Sequence, residues 1–125
     1  MNTQEIQNIY LTVIMIPRME QSGNESTYSL LKKSGYFEMY DQVTVEGIRQ
    51  TLIEHPDCID EWLEYSECQR SHPTWFFQSD GTDYEVGFVS INTEEVPVTR
   101  TRYQDRFEAC ATFIKNTLEL VRQIP

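Results

Sequence analysis

Four of the chain's five histidines and cysteines fall between His55 and His72, as His55-x2-Cys58-x9-Cys68-x3-His72. Zinc accepts such ligands, provided they converge to about 2.0–2.3 Å from one ion. A helix through the intervening residues would hold Cys58 and Cys68 about 15 Å apart along its axis, so one ion cannot take both. No metal and no cofactor is expected. Cys68 and His72 could also meet across a tight turn as nucleophile and base. Nothing around them resembles a nucleophile elbow or a cysteine-protease signature. Cys110 falls on an apolar stripe and reads as a small packing residue. The five glycines, at 23, 35, 47, 81 and 87, are too scattered for a phosphate-binding loop.

Carboxylates are the most plentiful reactive groups. From Ser34 to Gln69 the acids are Glu38, Asp41, Glu46, Glu54, Asp57, Asp60, Glu61, Glu64 and Glu67, against the single base Arg49. A general-acid carboxyl needs an apolar pocket to raise its pKa, whereas acids on a wetted stripe stay ionised. A one-sided acidic field serves binding instead: it speeds encounter with a cationic partner and sets register. The densest stretch is DCIDEWLEYSECQR, Asp57 to Arg70. Ile59, Trp62, Leu63 and Ser66 recur on one side at helical spacing, and Asp57, Asp60, Glu61, Glu64 and Glu67 on the other. The candidate partner-binding residues are these five acids together with Tyr65. An ordinary solvated helix face has the same pattern, so the stripe alone does not decide between docking and solvation.

The elements that position this stripe follow from periodicity. Ile6, Ile9, Tyr10, Val13 and Ile14 predict a helix that Pro17 ends or kinks, with a capping box at Asn2 and Glu5, although YLTVIMI is β-branched enough for a strand. EQSGNES reads as a loop. STYSLLKKSG reads as a short helix closed by two lysines and Gly35. Thr44 caps VEGIRQTLIEH, whose Ile48, Leu52 and Ile53 face inward. The next helix starts at Pro56, and Arg70 is placed to pair with acids at its end.

WFFQ and YEVGFVSI form a hairpin around Asp80-Gly81, with Trp75 and Phe77 alternating against Phe76 and with Tyr84, Val86 and Phe88 on one face. VPVTR adds an edge strand, because Pro97 disfavours a central position. TRYQDRFEACATFIKNTLELVRQ, with Tyr103, Phe107, Cys110, Ile114, Leu118 and Val121 at spacings of three and four, is a long terminal helix. Helices, then a small antiparallel sheet, then a helix indicate one α+β domain spanning residues 1–125. The sheet is a hairpin or a three-stranded meander.

Length and composition bound the rest. The 125 residues suit one domain, and the 12% aromatic content supplies a core. Twenty acids against ten bases give a net charge of −10 and a pI near 4.5. That balance disfavours nucleic acid and anionic membrane surfaces as ligands. Three cysteines cannot all pair internally, which suits reduced thiols in the cytoplasm. No basic residue precedes Arg18, no small-residue cleavage pattern follows Pro17, and the apolar run is too short to span a membrane.

The segment SGYF…VTVEGIRQTLIEHPDCIDEWLEYSECQRSHPTWFF…YEVGFVS resembles small acidic bacterial immunity proteins of polymorphic or contact-dependent toxin systems. The resemblance rests on apolar spacing and on EWLEYSECQR. It implies a cytoplasmic, non-enzymatic protein that binds and occludes one cognate toxin domain, often a basic nuclease. It carries no contact residue over by position, so the candidate interface comes from the charge pattern. Two alternatives stand beside it. One is a small hydrolase-type enzyme using Cys68 and His72 or a buried carboxylate. The other is a structural or regulatory subunit, for which a homo-oligomer remains open.

Overall fold

The computed structural model describes residues 3–23, 25–68, 74–89 and 99–123. The chain runs α1 (Thr3–Ile14), α2 (Ile16–Ser22), α3 (Thr27–Ser34), α4 (Tyr36–Met39), a 3-10 turn (Tyr40–Gln42), α5 (Val45–Glu54) and α6 (Cys58–Cys68). It continues through β1 (Thr74–Ser79), β2 (Tyr84–Val89), β3 (Thr99–Tyr103) and α7 (Arg106–Arg122). The sheet is antiparallel in the order β1-β2-β3, so the domain is α+β with a three-stranded meander.

The first apolar segment is a helix, not a strand. Ile9, Tyr10, Val13 and Ile14 are buried at spacings that only a helix places on one side. Pro17 has no N–H, so the ladder is interrupted at Met15, whose own N–H closes a tighter turn onto the Thr12 carbonyl at 3.2 Å. Proline tolerates the first turn of a helix, and α2 restarts there. Glu20, Gln21 and Ser22 are therefore helical rather than loop, and the turn to the next helix comes at Gly23.

α3 closes at Gly35 as expected, with φ 91°, and at its start the Ser26 hydroxyl accepts from the Ser29 N–H. The short α4 and its 3-10 turn carry no repeating apolar pattern and were not legible. Thr44 caps α5 by accepting from the Gly47 N–H at 3.0 Å. Ile48, Thr51 and Leu52 turn inward, while Ile53, expected in the core, is 41% exposed because it falls on the opposite side. Pro56 and Asp57 form a turn, and α6 begins at Cys58.

Phe77 pairs with Val86 and Trp75 with Phe88, putting the alternate aromatic residues on one face as expected. Asp80 shapes the hairpin: its Oδ1 accepts from the Thr82 and Asp83 N–H groups, and Gly81 takes φ 95°. The third strand lies at Thr99–Tyr103, later than VPVTR, whose residues 96–98 are outside those described. It is an edge strand. Tyr103 accordingly belongs to β3 and not to the last helix, which begins at Arg106 after its N-cap Asp105.

α7 is the centre of the domain: it packs on α3, α5 and α6 and on all three strands. Ala109, Cys110, Ala111, Phe113, Ile114, Thr117 and Leu118 are all buried, too wide an arc for a helix with a single apolar stripe. The aromatic centre joins α6, α7 and the sheet. Trp62 meets Phe113 edge-on at 5.9 Å, and Phe77 stacks on Phe113 at 5.6 Å. Offset and edge-on ring pairs add about 0.5–1.5 kcal/mol each beyond the area they bury.

Candidate functional site

The acidic face of α6 is held by four connections to its surroundings. On the inner side, the Trp62 indole N–H donates to the Ile14 carbonyl at 2.9 Å, where the α1–α2 break leaves that oxygen available. Further along, the Ser66 hydroxyl accepts the Phe77 N–H at 2.8 Å. That bond satisfies an edge-strand donor and seals part of β1 against other strands. The Thr27 hydroxyl donates to Glu20 Oε1 at 3.0 Å, so it accepts from the Tyr65 hydroxyl, also at 3.0 Å. The fourth connection is ionic. Arg18 donates from Nε and Nη2 to the two oxygens of Glu61 and from Nη2 to Asp57, all at 2.9–3.0 Å.

These connections sort the six candidate residues. Asp60, Glu64 and Glu67 are exposed, and among the described residues no cation lies within ion-pair distance of them. Asp57 and Glu61 lie on the same side, but both are engaged by Arg18. The guanidinium is held above its usual pKa by its bonds to Glu61 and then Asp57, so it stays charged throughout. Tyr65 is half-buried with its ring 4.9 Å from that of Trp62, and burial pushes its hydroxyl up to about 12. It braces the helix rather than projecting from it.

Arg18, Glu20 and Thr27 were missed. Arg18 is the only base before Lys32, which is a signal of sorts, but no local pattern connects it to acids some forty residues later.

The thiols described in full are poor nucleophiles. Burial, and then the Asp57 and Glu61 carboxylates, push Cys58 up to about 11. Complete burial raises Cys110 well above the ordinary thiol range. Both are protonated at neutral pH, whereas nucleophilic attack needs the thiolate. The Cys68 side chain, Arg70 and His72 lie outside the described residues, so the Cys68–His72 pair and the Arg70 pairing do too, as does the Asn2 cap. Cys58 and Cys68 stand at the two ends of α6. Among the described residues, no group of three His, Cys, Asp or Glu side chains is arranged to hold a metal ion.

The bases of β3 are committed within the sheet. Arg102 donates to Asp80 at 2.6 Å and to Asp83 at 3.1 Å, holding the Asp80 carboxyl well below the usual range. Arg100 approaches Glu85 at 3.6 Å and lies over the Phe76 ring. The negative field at α6 therefore has one described cation beside it, Arg18.

No family model, curated protein or solved structure matches this chain. Among the described residues, no helix is long and apolar enough to cross a membrane.

Proposed function

We propose that this chain is a cytoplasmic, non-enzymatic binding protein that presents the α6 face to a basic protein partner. In this reading it is an immunity-type inhibitor that occludes a toxin domain. The observation that carries it is the exposed set Asp60, Glu64 and Glu67, which no described cation pairs, on a helix otherwise fastened by Trp62, Tyr65, Ser66 and Arg18. Such a face loses little freedom on binding, which is where preorganisation adds affinity.

Arg18 also supports a choice of partner side chain. Asp57 and Glu61, four residues apart, take a guanidinium through three hydrogen bonds. Asp60 and Glu64 repeat that Asp-x3-Glu spacing three residues further along, and among the described residues no cation pairs with them. Carboxylates match the planar fork of arginine better than the point charge of lysine. The partner surface is therefore expected to be rich in arginine.

The test is association kinetics with a basic toxin domain encoded beside this gene. Reversing Asp60, Glu64 and Glu67 to Lys should slow association by about tenfold or more at low salt, with the gap closing as salt rises. A folded triple variant that associates as fast as the parent removes the acidic-face model. Reversals at Glu61 or Asp57 are less informative, because they also release Arg18.

A further inference from the structure

Between Gly35 and Thr44 the chain makes only α4 and the 3-10 turn, elements too short to persist without the surface beneath them. That surface is α3, through the 5.4 Å ring contact of Tyr28 with Phe37, and the C-terminal half of α7, where one carboxylate organises the contact. The Tyr36 hydroxyl donates to Glu119 Oε2 at 2.5 Å. Arg122 donates to the same carboxylate from Nε at 3.0 Å and Nη2 at 2.8 Å, and its guanidinium lies 3.7 Å from the centre of the Tyr40 ring. Lys115 donates to the Tyr36 hydroxyl at 2.8 Å and to the Tyr40 carbonyl at 2.6 Å, with Glu119 3.7 Å away. The two cations that grip the segment thus share one carboxylate, Glu119.

We propose that residues 36–42 form an acid-released strap whose catch is Glu119: protonating this carboxylate frees the segment from α7 while the remaining helices stay folded. A neutral carboxyl no longer accepts the arginine fork, and Tyr36 loses an ionised acceptor. Lys115 and Arg122 then repel each other, with Asp41 of the 3-10 turn as the remaining acid facing Lys115. Tyr36, Tyr40 and Asp41 face the cluster from the strap, and Lys115, Glu119 and Arg122 from α7. The helices α3 and α5 also pack on α7, but Lys33 pairs with Glu25 and Arg49 with Asp105, away from it. Gly35, at φ 91°, is one hinge. At the other end Tyr10 holds the chain, accepting from the Thr44 N–H at 3.1 Å and donating to the Gln42 carbonyl at 3.3 Å.

The direction in pH follows from the folded value. Burial raises the Glu119 pKa, but the bonds from Arg122 and Tyr36 outweigh it and hold the group below its ordinary 4.5. A depressed acid stabilises the closed strap fully above 4.5 and loses that contribution as pH falls through the folded value. Within that window, opening increases by up to about tenfold per pH unit for one proton.

Hydrogen exchange of the full chain between pH 7 and pH 3.5, corrected for intrinsic rates, reads the opening directly. Exchange in residues 36–42 should rise below pH 4.5 before that of α5 or the rest of α7. Glu119→Gln should raise it about tenfold or more already at pH 7 and remove most of the acid dependence. Tyr36→Phe keeps the ring but deletes one donor, so the midpoint of the acid profile should move upward. Exchange that follows α5 at every pH overturns the proposal. So does a Glu119→Gln segment as protected as the parent at pH 7, or an unmoved midpoint in Tyr36→Phe.

Discussion

The indole nitrogen of Trp62 lies 2.9 Å from the Ile14 carbonyl, so the acidic helix is anchored at the point where the first helix breaks. Pro17 prevents α1 from running straight into α2, and Trp62, with no exposed surface, fills the interruption with both a ring and a donor. Trp62→Phe keeps an aromatic ring but leaves a cavity and an unpartnered buried carbonyl. The variant is expected to lose about 2–4 kcal/mol in denaturant unfolding. A loss under about 0.5 kcal/mol would mean that the indole N–H bond and the lost volume matter little.

Gly47 is small because of Tyr10. A Cβ at this position would lie 2.0 Å from the Tyr10 hydroxyl oxygen and 2.2 Å from Cζ. On an unhindered helix, alanine is favoured over glycine by about 1 kcal/mol. Here Gly47→Ala should reverse that sign, because displacing Tyr10 breaks its bond with Thr44 as well as its packing. In a Tyr10→Ala background the same change should become neutral or stabilising. A double-mutant cycle by thermal or urea unfolding measures the reversal.

Among the described residues, the buried Thr117 hydroxyl has no hydrogen-bond partner. Valine has nearly the same shape and leaves nothing to satisfy. Thr117→Val should therefore raise stability by about 1 kcal/mol, seen as a higher urea midpoint at unchanged slope. A loss of stability would reveal a partner that the hydroxyl uses.

Asp105 caps α7 and ties it to α5: it accepts from the Phe107 N–H at 2.9 Å and from Arg49 Nε at 3.0 Å. Burial raises its pKa, but the bonds from Arg49 and the backbone N–H groups outweigh burial and hold it below the ordinary 3.8. Its contribution is thus complete above 3.8 and fades as pH falls through the folded value. Asp105→Ala should cost about 1 kcal/mol at neutral pH. The gap between variant and parent should narrow in unfolding curves taken below pH 3.8.

The parts of the fold that depend on nearby residues were legible in the sequence. Gly35 closes α3, Thr44 starts α5, and Asp80-Gly81 turns the hairpin, because caps and turns act over three or four positions. Alternation placed Phe77 and Val86 on the covered face of the sheet for the same reason. Element ends were less legible. Tyr103 continues the apolar spacing of α7, yet it pairs with Tyr84 across the sheet, and strand pairing outcompeted helical spacing there. At Glu20–Ser22, polar composition suggested a loop, while the chain beyond Pro17 had already re-entered a helix.

The sequence by itself determined that Asp60, Glu61, Glu64, Glu67 and Trp62 share one helix and that these acids lie on its outer side. Helical period and charge are local properties, readable without a partner in view. Only the tertiary structure decided that Arg18 neutralises Asp57 and Glu61, that Tyr65 turns inward to Thr27, and that Asp60, Glu64 and Glu67 remain unpaired by any described cation. Those outcomes depend on α2 and α3 packing beside α6, some forty residues away in the chain. Contacts at that separation are set by how the helices pack around the core, not by any neighbouring pattern.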